Sequence, residues 1–405
     1  MNYIKKYINN IGYIFIIIFL IYITITLIVY PDKMIKASID GVDTWFYTVL
    51  PSLLPFFIIS ELLMKLGVLD FISLMLEPFM RPLFNVPGEG SFTFAMSITS
   101  GYPVGAKLVS QLTNQKKISI YEGQRLLSFC STSGPLFMIG AVSVGMLNSQ
   151  ALAPLIAIPH YLSAIAMGLL FKYYKVDKKT PYKNKNYKYN IKKIRKYRQI
   201  KKISIGKVLN NSVNDSFKTI LLIGGFIILY SVIIEALNIS KIIDLISYVL
   251  MKIIPFSQNK DVYKGLIAGF IEVTNGCKLI AESNAQNIGF KLCLINFLIG
   301  WSGLSIHSQV ATFMFESKIK MSIYILSKFL QGVFASLFTI IILKLNLFNL
   351  SISVAKNLVF EKNMSFINLF VKNTKIFIFI IIITLILSVI NLLIFKAISI
   401  FKKEY

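Results

Sequence analysis

The stretch Ser97–Lys107 reads SITSGYPVGAK and lies within an apolar segment. Two glycines and a proline this close together interrupt helical hydrogen bonding, so we predict that a helix unwinds at Gly101–Pro103 and restarts behind the proline. The unwound backbone and the N-terminus of the next helix favour a polar or anionic group. Lys107 adds a positive charge about one turn further on. The alternative interpretation is a proline kink with packing glycines and a lysine that extends toward the membrane surface.

A partner for this stretch lies about 170 residues further along the chain. The segment Glu272–Lys278 reads EVTNGCK, and its carboxylate lies in the middle of an apolar stretch, where it is costly unless paired or hydrated. Paired repeats in a membrane protein predict a binding site of broken helices between them. The matched residues are Glu61, Asp70, Ile72 and Ser73 with Glu235, Asp244, Ile246 and Ser247; Gly105 and Lys107 with Gly276 and Lys278; and Ser133 and Gly134 with Ser302 and Gly303.

The composition is that of a membrane protein. Of 405 residues, 55% are hydrophobic, and the mean hydropathy is +0.68. Tyr7–Pro31 carries no charge and Ile376–Phe395 is almost wholly apolar, so each can cross the roughly 30 Å hydrocarbon core as a helix. We therefore predict an all-α, polytopic transmembrane protein. No small-x-small cleavage site follows the first span, which we expect to be retained.

The positive charge is concentrated in one segment. The net charge is +25, and fifteen of the 43 Lys and Arg residues lie between Lys172 and Lys207. The positive-inside rule makes this segment a cytoplasmic loop, which can also lie on anionic lipid. Lys5 and Lys6 place the N-terminus inside as well. The first repeat then starts outside and ends inside, and the second repeat is inverted relative to it.

The predicted organisation has six parts. Broken runs that end near Pro87 and at Pro255 predict re-entrant or interfacial helices within the two repeats. The parts are an N-terminal anchor helix (1–40), a first repeat (41–171), a basic cytoplasmic linker (172–207), a second repeat (208–345), a polar connector (346–374) and a C-terminal anchor helix (375–405).

A second pair of predicted breaks lies at residues 130–135 and 300–309, where small hydroxyl residues adjoin glycine. Trp301, His307 and Gln309 can stack on a ligand or hydrogen-bond to it. The alternatives are close helix packing by the small residues and a satisfied core histidine at His307. The candidate substrate-binding residues are Ser100, Gly101, Tyr102, Pro103, Gly105, Lys107, Ser131, Ser133, Glu272, Thr274, Asn275, Lys278, Trp301, Ser302, His307 and Gln309.

Some charged pairs also have a purely structural interpretation. Glu272 can form an ion pair with Lys107 or Lys278, which is compatible with a role in binding. Glu61 and Lys65 have the i,i+4 spacing of a helical ion pair.

The sequence contains no P-loop, HExxH or GxSxG motif. The three cysteines have no CxxC spacing, and two histidines cannot form a His-rich metal site. His160 follows a proline and is interpreted as a loop or interface residue. We predict no enzymatic activity, no metal and no cofactor. The expected partners are the lipid bilayer and a small polar solute, with a coupling ion and a homo-oligomer left open, and no nucleic acid.

The runs SITSGYPVGAK, FCSTSGP, IEVTNGCK and WSGLSIHSQ, in this order, resemble the YlbJ-type sporulation integral membrane proteins, which carry the nucleoside-recognition Gate domain. The resemblance covers about residues 10–400. It implies a protein of spore-forming bacteria that is made in the mother cell, lies in the mother-cell or outer forespore membrane and is needed for a normal spore cortex. By analogy the Gate residues are Gly101, Tyr102, Pro103, Gly105, Lys107, Glu272, Asn275 and Gly276.

We therefore expect a secondary carrier with two inverted Gate-type repeats, which binds a small polar solute, nucleoside-like or cortex-related, near the bilayer midplane. Glu272 would bind a coupling ion or a substrate hydroxyl, and Lys107 or Lys278 would neutralise an anionic group. The alternative is a non-transporting scaffold that recruits cortex-assembly proteins through the linker or residues 346–374. A nucleic-acid-binding protein is the third hypothesis, and it predicts salt-sensitive binding by the isolated linker.

Overall fold

A computed structural model describes residues 2–66, 79–175, 205–254, 257, 259–284, 287–315 and 317–345. Every regular element within these ranges is helical, which confirms the all-α prediction. Most of the basic linker, the polar connector, the C-terminal anchor helix and the repeat residues Asp70, Ile72 and Ser73 lie outside the described residues.

The helices follow one another with few long connections. They are α1 (Asn2–Val29), α2 (Pro31–Asp43), a π-helix (Thr44–Val49), α3 (Leu50–Lys65), α4 (Glu89–Ser100), α5 (Val104–Asn114), α6 (Ile120–Phe129), a second π-helix (Leu136–Met146), α7 (Ala153–Phe171), α8 (Ile205–Ile239), α9 (Ile242–Ile253), α10 (Lys260–Ile271), α11 (Val273–Glu282), α12 (Ile288–Trp301), α13 (Gly303–Met314) and α14 (Met321–Lys344).

Several of these helices can cross a membrane, judged by length and composition. They are α7, α8, α14 and the consecutive pair α12–α13, and the bent pair α1–α2 is a fifth candidate. The bend of 107° occurs at Tyr30, because Pro31 has no backbone N–H with which to continue α1. The predicted single anchor helix over residues 1–40 is therefore two helices.

The long helices also carry large apolar side chains on the protein surface. Phe217, Leu221 and Leu229 of α8 and Phe329 and Ile341 of α14 are exposed. Apolar surface spread along whole helices is expected where lipid, not water, surrounds the protein. The fold is thus that of an integral membrane protein.

Two pairs of short helices form hairpins. In α10–α11, a Cβ on Gly276 would lie 2.1 Å from Gly269 Cα, so the two backbones pack directly against each other. In α4–α5, a Cβ on Gly105 would lie 3.0 Å from Ser97 Cβ, so α5 folds back beside α4. Each arm has 10 to 12 residues, which is about 15 to 18 Å of helix, or roughly half of the hydrocarbon core. The predicted breaks at Gly101–Pro103 and at Glu272 are confirmed as the tips of these hairpins.

Each hairpin is followed by an interrupted helix and then by a continuous one. In the first case α6 ends at Phe129, and the chain is not helical again until the π-helix. In the second, α12 and α13 are separated by Ser302, which has a left-handed φ of +78°. The continuous helices are α7 and α14. This order places four breaks in the helical backbone, two in each half of the described chain.

Two predicted structural roles are wrong. Glu61 pairs with Lys107, at 2.7 Å between Oε1 and Nζ, instead of with Lys65. Lys65 instead pairs with Asp215 of α8 at 2.8 Å, because the tertiary fold brings the Asp215 carboxylate closer to Lys65 than the Glu61 carboxylate one turn earlier in α3. His160 is not a loop residue, because it lies fully buried within α7.

Candidate functional site

The first hairpin tip packs against the first interruption. Gly101 has a φ of +78°, and a Cβ there would lie 2.6 Å from Gly134 N, so only glycine fits this contact. Thr132 Oγ1 donates to Ser97 O at 2.8 Å, and its backbone N–H donates to Ser97 Oγ at 3.2 Å. Polar groups that the missing helical turn leaves free are thus satisfied by the facing helix.

The second hairpin tip packs against the second interruption in a similar way. A Cβ on Gly303 would lie 3.0 Å from Val273 N and 3.1 Å from Ile271 O. The two halves are joined here, because Tyr102 OH donates to Ile299 O at 3.0 Å. All four breaks therefore meet in one region of the protein.

A cavity of about 60 Å³ lies where the breaks meet. It has room for a few water molecules and is much smaller than the roughly 300 Å³ of a typical ligand pocket. Its apolar wall comes from the first π-helix, the second π-helix and α8. The lining residues are Val49, Ser100, Gly101, Tyr102, Ser133, Gly134, Phe137, Ile223, Ile227, Glu272, Val273, Thr274, Ser305, Ile306 and Gln309.

Three polar side chains on this wall have no hydrogen-bond partner within the described residues. Gln309 is fully buried, and neither its Oε1 nor its Nε2 is paired. Ser305 Oγ, one turn earlier on α13, and Ser133 Oγ are also buried and unpaired. A buried polar group without a partner costs about 1–3 kcal/mol, and native proteins satisfy nearly all such groups. These side chains can therefore bind a hydrated or polar ligand in the cavity.

Glu272 lines the same cavity and caps α11. Its Oε1 accepts the backbone N–H of Thr274 at 3.1 Å, and its Oε2 accepts that of Asn275 at 2.8 Å. The carboxylate thereby pairs with the positive end of the helix dipole. The predicted ion pair with Lys107 or Lys278 is wrong, because Lys107 is bound to Glu61 and Lys278 is exposed on α11.

Sequence-predicted residues divide between the cavity and its surroundings. Those that line the cavity are Ser100, Gly101, Tyr102, Ser133, Glu272, Thr274 and Gln309. The structure does not bring the others to its wall. These are Pro103, Gly105, Lys107, Ser131, Asn275, Lys278, Trp301, Ser302 and His307.

The aromatic residues of the second interruption bind each other and the backbone. Trp301 Nε1 donates to Phe270 O at 3.0 Å, and His307 Nε2 lies 2.9 Å from Trp301 O. The two ring centroids are 4.3 Å apart in an edge-to-face arrangement. Trp301 and His307 therefore support the second hairpin tip in this conformation and do not face the cavity.

Sequence reasoning missed two buried nitrogen-bearing side chains that hold the first interruption. His160 Nε2 accepts the backbone N–H of Ser133 at 2.9 Å. Lys328 Nζ, from α14, donates to Ser131 O at 2.6 Å. Lys328 is the one charged residue in the apolar run from Met321 to Leu343, and a lone intramembrane lysine is a signal of function that could have been used.

A wider cavity of about 470 Å³ lies at the open end of the α10–α11 hairpin. Asp244, Asp261, Lys264 and Glu282 line it together with the end of α8. Charged walls indicate that this cavity is in contact with water. Among the described residues, no group of His, Cys, Asp or Glu could hold a metal ion.

The chain is similar to known proteins over most of its length. It is 36% identical over 343 residues to the sporulation integral membrane protein YlbJ of Bacillus subtilis (strain 168), and the match covers 83% of this chain and 84% of that protein. The protein-family model described as Gate, nucleoside recognition, matches residues 46–172. No solved structure matches the chain. The Gate match contains the first hairpin and the first interruption, whereas Glu272 and Gln309 follow it in the sequence.

Proposed function

Because this chain belongs to the YlbJ family of sporulation integral membrane proteins, we propose that it is a secondary carrier for a small polar solute, nucleoside-like or related to the spore cortex. It acts in the mother-cell or outer forespore membrane and contributes to cortex formation. The solute binds in the central cavity, between the two hairpin tips.

The observation that carries this proposal is the unpaired amide of Gln309 in the cavity that Glu272 also lines. A buried amide with both polar ends free, in one cavity with a carboxylate and two serine hydroxyls, suits a solute with several donors and acceptors. The small volume of the cavity fits a closed conformation, in which the hairpins must move apart to admit a solute. Alternating access around a site of broken helices is the usual way in which secondary carriers work.

The order of elements supports two inverted repeats. Each half has a hairpin, an interrupted helix and a continuous helix. In the order of elements, Glu272 at the second hairpin tip corresponds to the first hairpin tip. Ser302 likewise corresponds to Ser133, and Lys328 to His160. The basic linker begins and ends on the cytoplasmic side by its charge. If each half crosses the membrane an odd number of times, the halves have opposite orientations.

The first test is a thermal-stability screen of the detergent-purified full chain against nucleosides, cell-wall precursors, amino sugars and divalent ions. Gln309→Leu and Glu272→Gln are measured beside the parent, and the matched control is Gln111→Leu, since Gln111 is exposed on α5. We expect a solute to raise the Tm of the parent and the control by about 2 °C or more at saturation, and not that of Gln309→Leu.

A solute that stabilises Gln309→Leu as well as the parent would move the binding site away from this cavity. If no solute acts and Gln309→Leu at normal membrane levels still supports cortex formation, the scaffold hypothesis is favoured. Deleting basic residues of the linker would then impair sporulation more than any change in the cavity.

A further inference from the structure

Lys328 is an intramembrane lysine without a carboxylate partner among the described residues. Its side chain is fully buried, and no ion pair in this part of the chain includes it. Its Nζ donates to Ser131 O and to Gln331 Oε1, each at 2.6 Å. The ring centroid of Tyr102 lies 5.6 Å from the same nitrogen. An ammonium group is thus surrounded by two carbonyl oxygens and the face of an aromatic ring.

This is the environment of a monovalent cation. Ser131 O is available because the chain is not helical between α6 and the second π-helix, and carbonyls of unwound segments bind the coupling cations of secondary carriers. Aromatic faces also attract cations. Here the cation is the ammonium group of Lys328, which is covalently attached to α14. The site is therefore filled without sodium, and the cation is retained even if the site opens.

The cation site and the solute cavity share a wall. The Tyr102 ring faces Nζ, and Tyr102 also lines the cavity. Ser131 and Ser133 belong to one non-helical segment, in which Lys328 of α14 binds the Ser131 carbonyl and His160 of α7 binds the Ser133 amide. A change at Lys328 therefore acts directly on the segment that borders the solute.

Among the residues that the structure describes, no other charged group competes for this position. The titratable neighbours are Tyr102, Tyr324, His160 and His307, and each makes a hydrogen bond to a group other than Lys328. The charged side chains on the helices that pack against α14 bind elsewhere. Glu122 of α6 binds Arg81 and Ser119. Arg125 of α6 binds the backbone carbonyls of Asn85 and Tyr174, and Lys291 of α12 binds Ala281 O.

We propose that Lys328 is the proton-carrying group of the carrier, an assignment that rests on the transport function proposed above. In one state its ammonium group holds Ser131 O. In the other an N–H bond breaks, the electron pair stays on Nζ, and the proton passes to water that enters the opened cavity. The neutral amine no longer holds the carbonyl as a cation does, so the non-helical segment is released. Transport is then driven by protons and not by sodium.

The test uses the purified full chain and two lysine positions. Lys328→Ala removes the attached cation, and Lys291→Ala is the matched control, since Lys291 also binds a backbone carbonyl from within a helix. We expect methylammonium to raise the Tm of Lys328→Ala by about 2 °C. Tetramethylammonium, which has no N–H, has no such effect, and neither cation stabilises the parent or Lys291→Ala. Failure of methylammonium to stabilise Lys328→Ala selectively overturns the cation site.

Lys328→Arg separates the charge from the proton, because a guanidinium stays protonated. The probe is the solute identified by its effect on the Tm of the parent, with uptake into liposomes driven by a proton or a sodium gradient. We expect proton-driven uptake by the parent and by Lys291→Ala, and at least a tenfold loss in Lys328→Arg while the solute still raises its Tm. Uptake driven by sodium, or proton-driven uptake by Lys328→Arg, overturns this assignment and leaves the carrier function standing. A parent that no solute stabilises overturns both.

Discussion

Gly105 occupies a place where the backbone leaves no room for a side chain. A Cβ at this position would lie 1.6 Å from Cys130 O, closer than any non-bonded contact allows. The obstacle is a backbone carbonyl beside the first interruption, which cannot rotate away as a flexible side chain would. The glycine therefore sets how closely α5 approaches the end of α6.

Replacing Gly105 with alanine should be strongly destabilising. Overpacking of a rigid contact costs about 1–3 kcal/mol or more, so we expect a clear fall in the Tm of the purified protein. Gly225→Ala in α8 is the matched control, because a Cβ there meets nothing within 4 Å. The control should be neutral or gain about 0.5–1 kcal/mol from helix propensity. Equal stability of the two variants would contradict the contact.

At this scale the sequence predicts some residues of the site and not others. Gly101 and Pro103 reveal their break because glycine and proline affect the backbone locally, whatever lies around them. Lys107 and Lys328 are both single lysines in apolar surroundings, and local sequence cannot tell which one reaches a carboxylate. Lys107 is bound to Glu61, 46 positions earlier in the chain, and Lys328 to Ser131 O, 197 positions away. Such partners depend on the tertiary fold.

Among the elements, the first hairpin is attached to its neighbours by charge. Lys107 of α5 binds Glu61 of α3 at 2.7 Å and lies 3.4 Å from Thr219 Oγ1 of α8. A second ion pair, Lys65–Asp215, joins α3 to α8 directly. Both groups of the first pair are mostly buried. The α5 arm is therefore held, about one turn from the hairpin tip, by a polar network.

Lys107→Met should leave Glu61 without its partner and lower the free energy of unfolding by about 1–3 kcal/mol. Adding Glu61→Gln should restore part of the loss, because the unpaired charge is removed. Thermal unfolding of both single variants and the double variant measures this coupling. Lys117→Met, at an exposed position after α5, is the control and should have little effect. Strictly additive losses would mean that the pair does not interact.

Apolar stretches in the sequence predict the existence of these helices better than their path. Residues 91–112 and 262–281 look like spans by hydropathy, but each contains a tip and folds back as a hairpin. Hydropathy reports only that a segment avoids water. Whether it crosses or turns back depends on backbone contacts such as Gly276 against Gly269, which form between residues that are distant along an unbroken helix.

For the whole molecule, α8 is the helix from which the relative orientation of the two halves is inferred. Its 35 residues extend about 52 Å, which exceeds the thickness of the hydrocarbon core. If α8 crosses the membrane, its two ends lie on opposite sides. Because the basic linker precedes α8, its charge predicts which end is cytoplasmic.

Single cysteines test this orientation in intact cells. In a background where Cys130, Cys277 and Cys293 are alanine, we expect an impermeant maleimide to label Lys241→Cys, just after α8. Asn190→Cys in the linker should react only after the cells are opened. Labelling of both positions, or the reverse pattern, would contradict the predicted topology and with it the inverted repeats.

The two hairpins differ in their surroundings. One adjoins a cavity of about 470 Å³ with charged walls at its open end, and the other is held about one turn from its tip by the Lys107–Glu61 pair. If the two halves are inverted copies, each half is a template for the other half in its opposite state. Exchanging their conformations would close the cavity at Asp244 and open one beside the α4–α5 hairpin, on the far side of the bilayer. One structure, with its two halves in different conformations, would then show both end states of the transport cycle.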